Sequence, residues 1–208
     1  MYHGEKLNSI THLVGATLAL IGFGALLTIA IHEKNPLLLV SFSIFGVTLI
    51  LLYTMSTLYH SFHPPRLKKI FRKLDHVSIY LLIAGTYTPY MLVSLWDNHG
   101  PVMLMWIWAL AAIGLLLDIF ISKRIEFLQI IIYLLMGWLC MMDYSELRAA
   151  ISAPGIVWLT LGGIAYTTGI IFYVLDSMKK LRHAHGIWHL FVLTGSICHF
   201  ISIIGYVR

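Results

Sequence analysis

Residues 37–59, LLLVSFSIFGVTLILLYTMSTLY, run for 23 positions without a charge, and residues 60–76, HSFHPPRLKKIFRKLDH, follow with five Lys or Arg. A helix needs about 20 apolar residues to cross the hydrocarbon core of a bilayer. The first stretch meets that requirement. The second is the basic flank that accumulates on the cytoplasmic side of such a span. The pair decides the fold class, because the same alternation recurs along the whole chain.

Seven runs have the length and apolarity of spans: 12–31, 37–59, 76–95, 102–121, 127–142, 156–176 and 185–206. Pro36, Pro64, Pro65, Pro101 and Pro154 fall in the gaps, where a missing amide hydrogen does little harm. Pro89 falls inside the third run and is expected to kink it. Of the 208 residues, 59% are hydrophobic and 11% charged, against about 25% charged in a soluble domain. The chain is therefore expected to be an all-α, seven-transmembrane helix bundle forming a single domain over 1–208, with no soluble domain appended. The first run is too long for a cleaved signal and lacks a small-residue cleavage site. Cys140 and Cys198 both lie within apolar runs, a placement that argues against a disulfide framework.

The count of Lys and Arg sets the orientation. Lys6, the loop residues Arg66, Lys68, Lys69, Arg72 and Lys73, then Lys123, Arg124, Lys179, Lys180 and Arg182 fall on one side, eleven in all. Lys34, Arg148 and Arg208, three in all, fall on the other. The rule that basic loops stay inside puts the N-terminus in the cytoplasm and the C-terminus outside. It also explains the net charge of +5 without a nucleic-acid partner.

On this map the polar residues converge. His60 ends span two, Asp75 begins span three, and His185 and His189 begin span seven, all on the cytoplasmic side. Glu5, Asn8 and His12 lead into span one on that same side. His185 and His189 are four residues apart and share a helix face, as do Ser56 and His60; Asp75 and Ser78 are three apart. Three imidazoles leave zinc one open position, and a water held there has a pKa of about 7. Asp75 is the candidate to hold that water and accept its proton. Ser56, one turn deeper than His60, is the candidate donor to a carbonyl oxygen.

Each residue also has a plainer reading. Asp75 can be the N-cap of span three, and Ser56 can bond back to its own helix. Glu5 and Asn8 can cap span one. Asp118 and Asp176 are expected to pair with nearby Lys123, Arg124, Lys179 and Lys180. His63, His76 and His183 are expected in solvent beside the basic loops, and His199, deep in span seven, as a buried polar contact. Trp96, Trp106, Trp158 and Tyr206 suit the interfacial belt or packing.

The elements Glu5-x2-Asn8-x3-His12, Ser56-x3-His60, Lys73-Leu-Asp75-x2-Ser78 and His185-x3-His189 followed by Leu-Phe-Val-Leu are together specific. Over nearly its whole length the chain resembles the hemolysin III family, the bacterial branch of the progestin and adipoQ receptor family. The resemblance implies a multi-pass protein of the bacterial plasma membrane with seven helices and a cytoplasmic N-terminus. It implies zinc held by His60, His185 and His189, with Asp75 approaching through a water and Ser56 beside the site. It does not make Glu5, Asn8 and His12 a primary ligand set. The wider superfamily includes alkaline ceramidases, which use a similar His, Asp and Ser arrangement on a lipid amide. The adipoQ receptor branch has large N-terminal extensions, and since this chain begins only a few residues before its first span, hormone reception is not expected to carry over.

Four functions follow as expectations. The first is a zinc-dependent hydrolase of a lipid amide or ester that enters from the bilayer. The second is a non-catalytic sensor or regulator of membrane state with structural zinc. Cytolysis, which the family name suggests, ranks low because no span carries a polar stripe from end to end. A proton-coupled transporter would place its ionisable residues near the midplane, and here they gather at one face.

Overall fold

The computed structural model describes residues 4–120 and 126–208. Lys123 and Arg124, used above for orientation and ion pairing, lie outside the described residues. All regular structure among the described residues is helical: α1 (Lys6–His32), α2 (Pro36–Ser61), α3 (Pro65–Pro89), α4 (Gly100–Phe120), α5 (Glu126–Trp138), α6 (Tyr144–Ala150), α7 (Ala153–Ser177) and α8 (Ala184–Tyr206). Seven helical segments among them are long and apolar enough to cross a membrane, α5 and α6 combining into one, Phe127–Ala150. The protein is a multi-pass membrane protein.

The helix starts follow local chemistry. Asn35 precedes α2, and its side-chain oxygen accepts from the amides of Leu37 at 2.9 Å and Leu38 at 3.3 Å. Pro36 takes the first helical position, where its missing N–H costs nothing. Pro65 and Pro154 play the same part in the first turns of α3 and α7.

Two segments differ from the hydropathy reading. The third helix begins at Pro65, a full eleven residues before position 76. Lys, Arg and Leu are good helix formers, so the helix continues where the apolar run stops. Asp75 therefore lies inside α3 and is not its N-cap. At the other end Pro89 closes the α-helix, and Tyr90–Ser94 wind in a wider turn that ends with the Leu95 amide bonded to the Tyr90 carbonyl at 3.0 Å. The expected kink is a change of helical pitch.

The fifth span runs to Ala150, past the expected 142. It is interrupted by a tight turn over Leu139–Asp143. Tyr87 of α3 repairs the interruption: its hydroxyl donates to the Met136 carbonyl at 2.8 Å and accepts from the Cys140 amide at 2.8 Å. Backbone groups freed inside a membrane bundle need such a partner.

Neighbouring helices pack in sequence, α1 on α2, α2 on α3 and α3 on α4, with α5 against α3, α4 and α7, and α8 against α7 and α1. The ring is thereby closed. Small residues permit the close crossings: a methyl at Gly15 would overlap the Tyr53 ring, and one at Gly46 the Phe23 ring. Tyr53 of α2 donates to Ser196 of α8 at 2.7 Å, and Tyr166 of α7 lies 2.6 Å from that same hydroxyl oxygen. Three helices are thus joined by hydroxyls where no bulk water competes. Both cysteines are free.

Tyr87→Phe removes the group that satisfies the broken fifth span. It is expected to destabilise the protein by about 1–3 kcal/mol, the cost of stranding a buried backbone donor. A lowered midpoint of thermal unfolding in detergent, without loss of helical signal in the folded state, checks this.

Candidate metal centre

The last turn of α2 carries His60, and the first turns of α8 carry His185 and His189 on one face. His60 and His189 are buried and His185 is half-buried. The ring centroids lie 5.1 Å apart for His60 and His185, 4.8 Å for His60 and His189, and 4.8 Å for His185 and His189. Each offers one ring nitrogen such that all three lie within 4.8 Å of one another. Such a group can hold a metal ion.

The second nitrogen of each ring is already committed. His60 Nδ1 donates to Glu5 Oε2 at 2.6 Å. His189 Nδ1 donates to the Asn8 carbonyl at 3.1 Å, and His185 Nδ1 donates to Asp176 Oδ2 at 3.1 Å. Three separate acceptors thus fix one tautomer on all three rings and leave Nε2 as the free donor atom. His60 Nε2 is buried without any hydrogen-bond partner, the state of a nitrogen that faces a cation. Outer acceptors of this kind orient ligand imidazoles and raise their basicity.

Glu5 anchors this outer set. Besides His60, its carboxylate receives the Asn8 side-chain amide at 2.8 Å and lies 3.5 Å from Lys68 Nζ. The hydrogen bond from His60 is the main reason its pKa falls to about 2. The carboxylate is therefore charged at every physiological pH. The Glu5, Asn8 and His12 spacing at the start of α1 now has a physical meaning: Glu5 orients the His60 ring, the Asn8 backbone carbonyl orients the His189 ring, and His12 stacks on His189 with centroids 3.7 Å apart. The side chain of Glu5 makes no capping bond to α1.

A cavity of about 360 Å3 adjoins the centre, bordered by His12, Ser56, Asp75, His185 and His189 at one end. It extends between α3, α5, α7 and α8 toward Tyr166 and His199. Ser56 is 1% exposed and its hydroxyl oxygen has no hydrogen-bond partner; it does not bond back to its helix. Asp75 is half-buried and borders the cavity, outside the compact imidazole group. Ser78 donates to the Leu74 carbonyl at 2.6 Å and does not border the cavity.

Several sequence expectations change here. Asp176 holds His185 instead of pairing with Lys179 or Lys180. The signal was available, since Asp176 is the carboxylate nearest His185 in sequence, but a neighbouring lysine run made ion pairing the default. His76 borders the cavity and its carbonyl accepts from Tyr133, so it is not merely a loop histidine. Asp118 accepts from the Gln129 side chain. His199 donates from Nε2 to the Leu159 carbonyl at 3.1 Å, the buried contact expected of it.

A family model described as Haemolysin-III related matches residues 1–200. The chain is 42% identical over 202 residues to a Bacillus subtilis (strain 168) protein named Hemolysin-3 homolog, covering 97% of this chain and 93% of that one. It is 40% identical over 203 residues to Hemolysin-3 of Bacillus cereus, covering 98% and 91%. A more distant relative is the Homo sapiens monocyte to macrophage differentiation factor, 27% identical over 168 residues that cover 78% of this chain and 68% of that protein. No solved structure gives a significant match.

Asp176→Asn and Glu5→Gln remove the charge that orients one ligand ring each. Each is expected to weaken metal affinity about 10- to 100-fold, read by competition with a chelator. Lys179→Gln, on the exposed turn beside Asp176, is expected to leave it unchanged.

Proposed function

This chain belongs to the haemolysin-III-related family, and we propose that it is a zinc-dependent hydrolase of a lipid amide or ester. In this reading it sits in the bacterial plasma membrane with the metal centre at the cytoplasmic face, where the Lys and Arg count places it. The observation that carries the proposal is an open set of three oriented imidazoles, two of which, His185 and His189, border a cavity of about 360 Å3.

The donor set suits zinc: three neutral nitrogens, no thiolate, and a fourth position left for water or substrate. His60, His185 and His189 hold the ion. Bound there, zinc supplies a Lewis acid and lowers the pKa of a water to about 7.

The chain's own residues do the rest. Asp75, at the border of the cavity, positions the attacking water and takes its proton as the water oxygen adds to the carbonyl carbon. Ser56, whose hydroxyl has no partner among the described residues, donates to the carbonyl oxygen as negative charge gathers on it. Asp75 then returns the proton to the departing nitrogen or oxygen as the C–N or C–O bond breaks. The products are a fatty acid and an amine or alcohol. The apolar part of the cavity, with Leu52, Leu82, Ile83 and Val192 on its wall, takes the acyl chain, so the substrate comes from the membrane lipids.

A second reading, a sensor of membrane state with structural zinc, draws on the way the same centre ties α1, α2, α7 and α8 together. Haemolysis, for this chain, rests on the relatives' names alone.

Asp75→Asn separates the readings. A hydrolase keeps its zinc, because Asp75 is outside the imidazole group, and loses turnover of a lipid amide or ester by about 10²- to 10⁴-fold. A structural centre keeps both zinc and cellular function. Full turnover by the Asp75→Asn protein on any substrate of the panel would sink the hydrolase.

A further inference from the structure

Metal binding explains the orphaned nitrogen of His60 but not those of His12. His12 is 3% exposed, and neither of its ring nitrogens has a hydrogen-bond partner. It is not among the residues whose ligand atoms gather into the compact group. Its ring lies flat on His189, 13° from parallel, and edge-on to Tyr53 at 5.0 Å. Those contacts fix the ring plane. A buried imidazole with two unmet nitrogens is costly, and a phenyl ring would fill the same space without that cost.

The cavity is where a partner could come from. His12 and Ser56 both border it, and the Ser56 hydroxyl is the second orphaned polar group there. A neutral imidazole offers one donor and one acceptor, and a serine hydroxyl offers the same pair of functions. The group that complements two such side chains both donates and accepts. A hydroxyl does this through a single atom, and a secondary amide does it only through two, its N–H and its C=O; an ester, a carboxylate or a methylene does not.

We propose that His12 is a ligand-binding residue of the cavity, which with Ser56 recognises a hydroxyl on the lipid bound beside the metal centre. The assignment rests on reading the cavity as a lipid site and does not depend on turnover. His12 holds the hydroxyl-bearing part of the ligand at the metal end, and the apolar wall takes the chain.

The test uses the full-length, zinc-loaded protein in detergent and two probes of equal length. One is N-(2-hydroxyethyl)oleamide and the other N-propyl oleamide, which replaces the hydroxyl by a methyl. Wild type is expected to bind the hydroxylated probe about tenfold more tightly, the size of one hydrogen bond. His12→Phe and His12→Leu are expected to keep their zinc and bind both probes equally. His12→Gln, which retains a donor and an acceptor, is expected to keep the preference. An unchanged preference in the folded apolar variants overturns the proposal, since His12 is then packing. Loss of zinc in them also overturns it, since His12 then belongs to the metal centre. Equal binding of the probes by wild type, or binding of neither, overturns it as well. Because the readout is binding, a protein that discriminates the probes yet cleaves no lipid would leave His12 in place and remove only the hydrolase.

Discussion

An imidazole buried in a membrane bundle has two nitrogens to satisfy and no water to do it. In this protein the Nδ1 atoms of His60, His185 and His189 reach three acceptors on two other helical segments: Glu5 and the Asn8 carbonyl at the start of α1, and Asp176 near the end of α7. Those bonds join the end of α2 and the start of α8 to the ends of α1 and α7. Close approach at this end follows: a side chain at Gly186 would meet Leu7 and Asn8. Because every Nδ1 is taken, every Nε2 is left for the cation, and no ring rotation can exchange them without stranding an acceptor. The tethers therefore set both the packing of four helices and the chemistry of the centre.

Away from that end the bundle follows the same constraint in a different form. Where the fifth span breaks, Tyr87 supplies a donor and an acceptor. Where α2, α7 and α8 meet, Tyr53, Ser196 and Tyr166 satisfy one another. The fifth span, Phe127–Ala150, is the least buried of the seven, while α2 and α3 are among the most buried. The cavity lies between these extremes, with α3 as its inner wall and α5 as its outer one.

Much of this was legible in the sequence because it depends on helix periodicity and charge. Seven apolar runs, an HxxxH on one helix face and a basic loop suffice to bring His60, His185 and His189 to one end. The start of α3 was not legible from hydropathy, because an amphipathic basic segment is as helical as an apolar one. That misplaced Asp75 by eleven residues relative to the helix start, from cap to interior. Nor was Asp176 legible as an acceptor for His185: ion pairing with lysine is the ordinary fate of a carboxylate at a helix end. The α1 triad was visible as a spacing, but its meaning needed coordinates. One of its three contributions to the ligand rings is a backbone carbonyl, which no side-chain pattern encodes.

A purely structural ion is an economical reading of three histidines, and the surroundings argue against it. Structural zinc sites are closed by four protein donors, whereas three residues form the group among the described residues. A site whose task is to tie helices also gains nothing from polar side chains left without partners. Ser56 and His12 are both at least 97% buried, both border a cavity large enough for part of a lipid, and their side-chain polar atoms have no hydrogen-bond partner among the described residues. Each would be cheaper as Ala or Phe if the cavity were never filled by something polar. Such side chains beside an open imidazole set suit a receiving site, and they link the candidate metal centre, the cavity and the α1 motif in one arrangement.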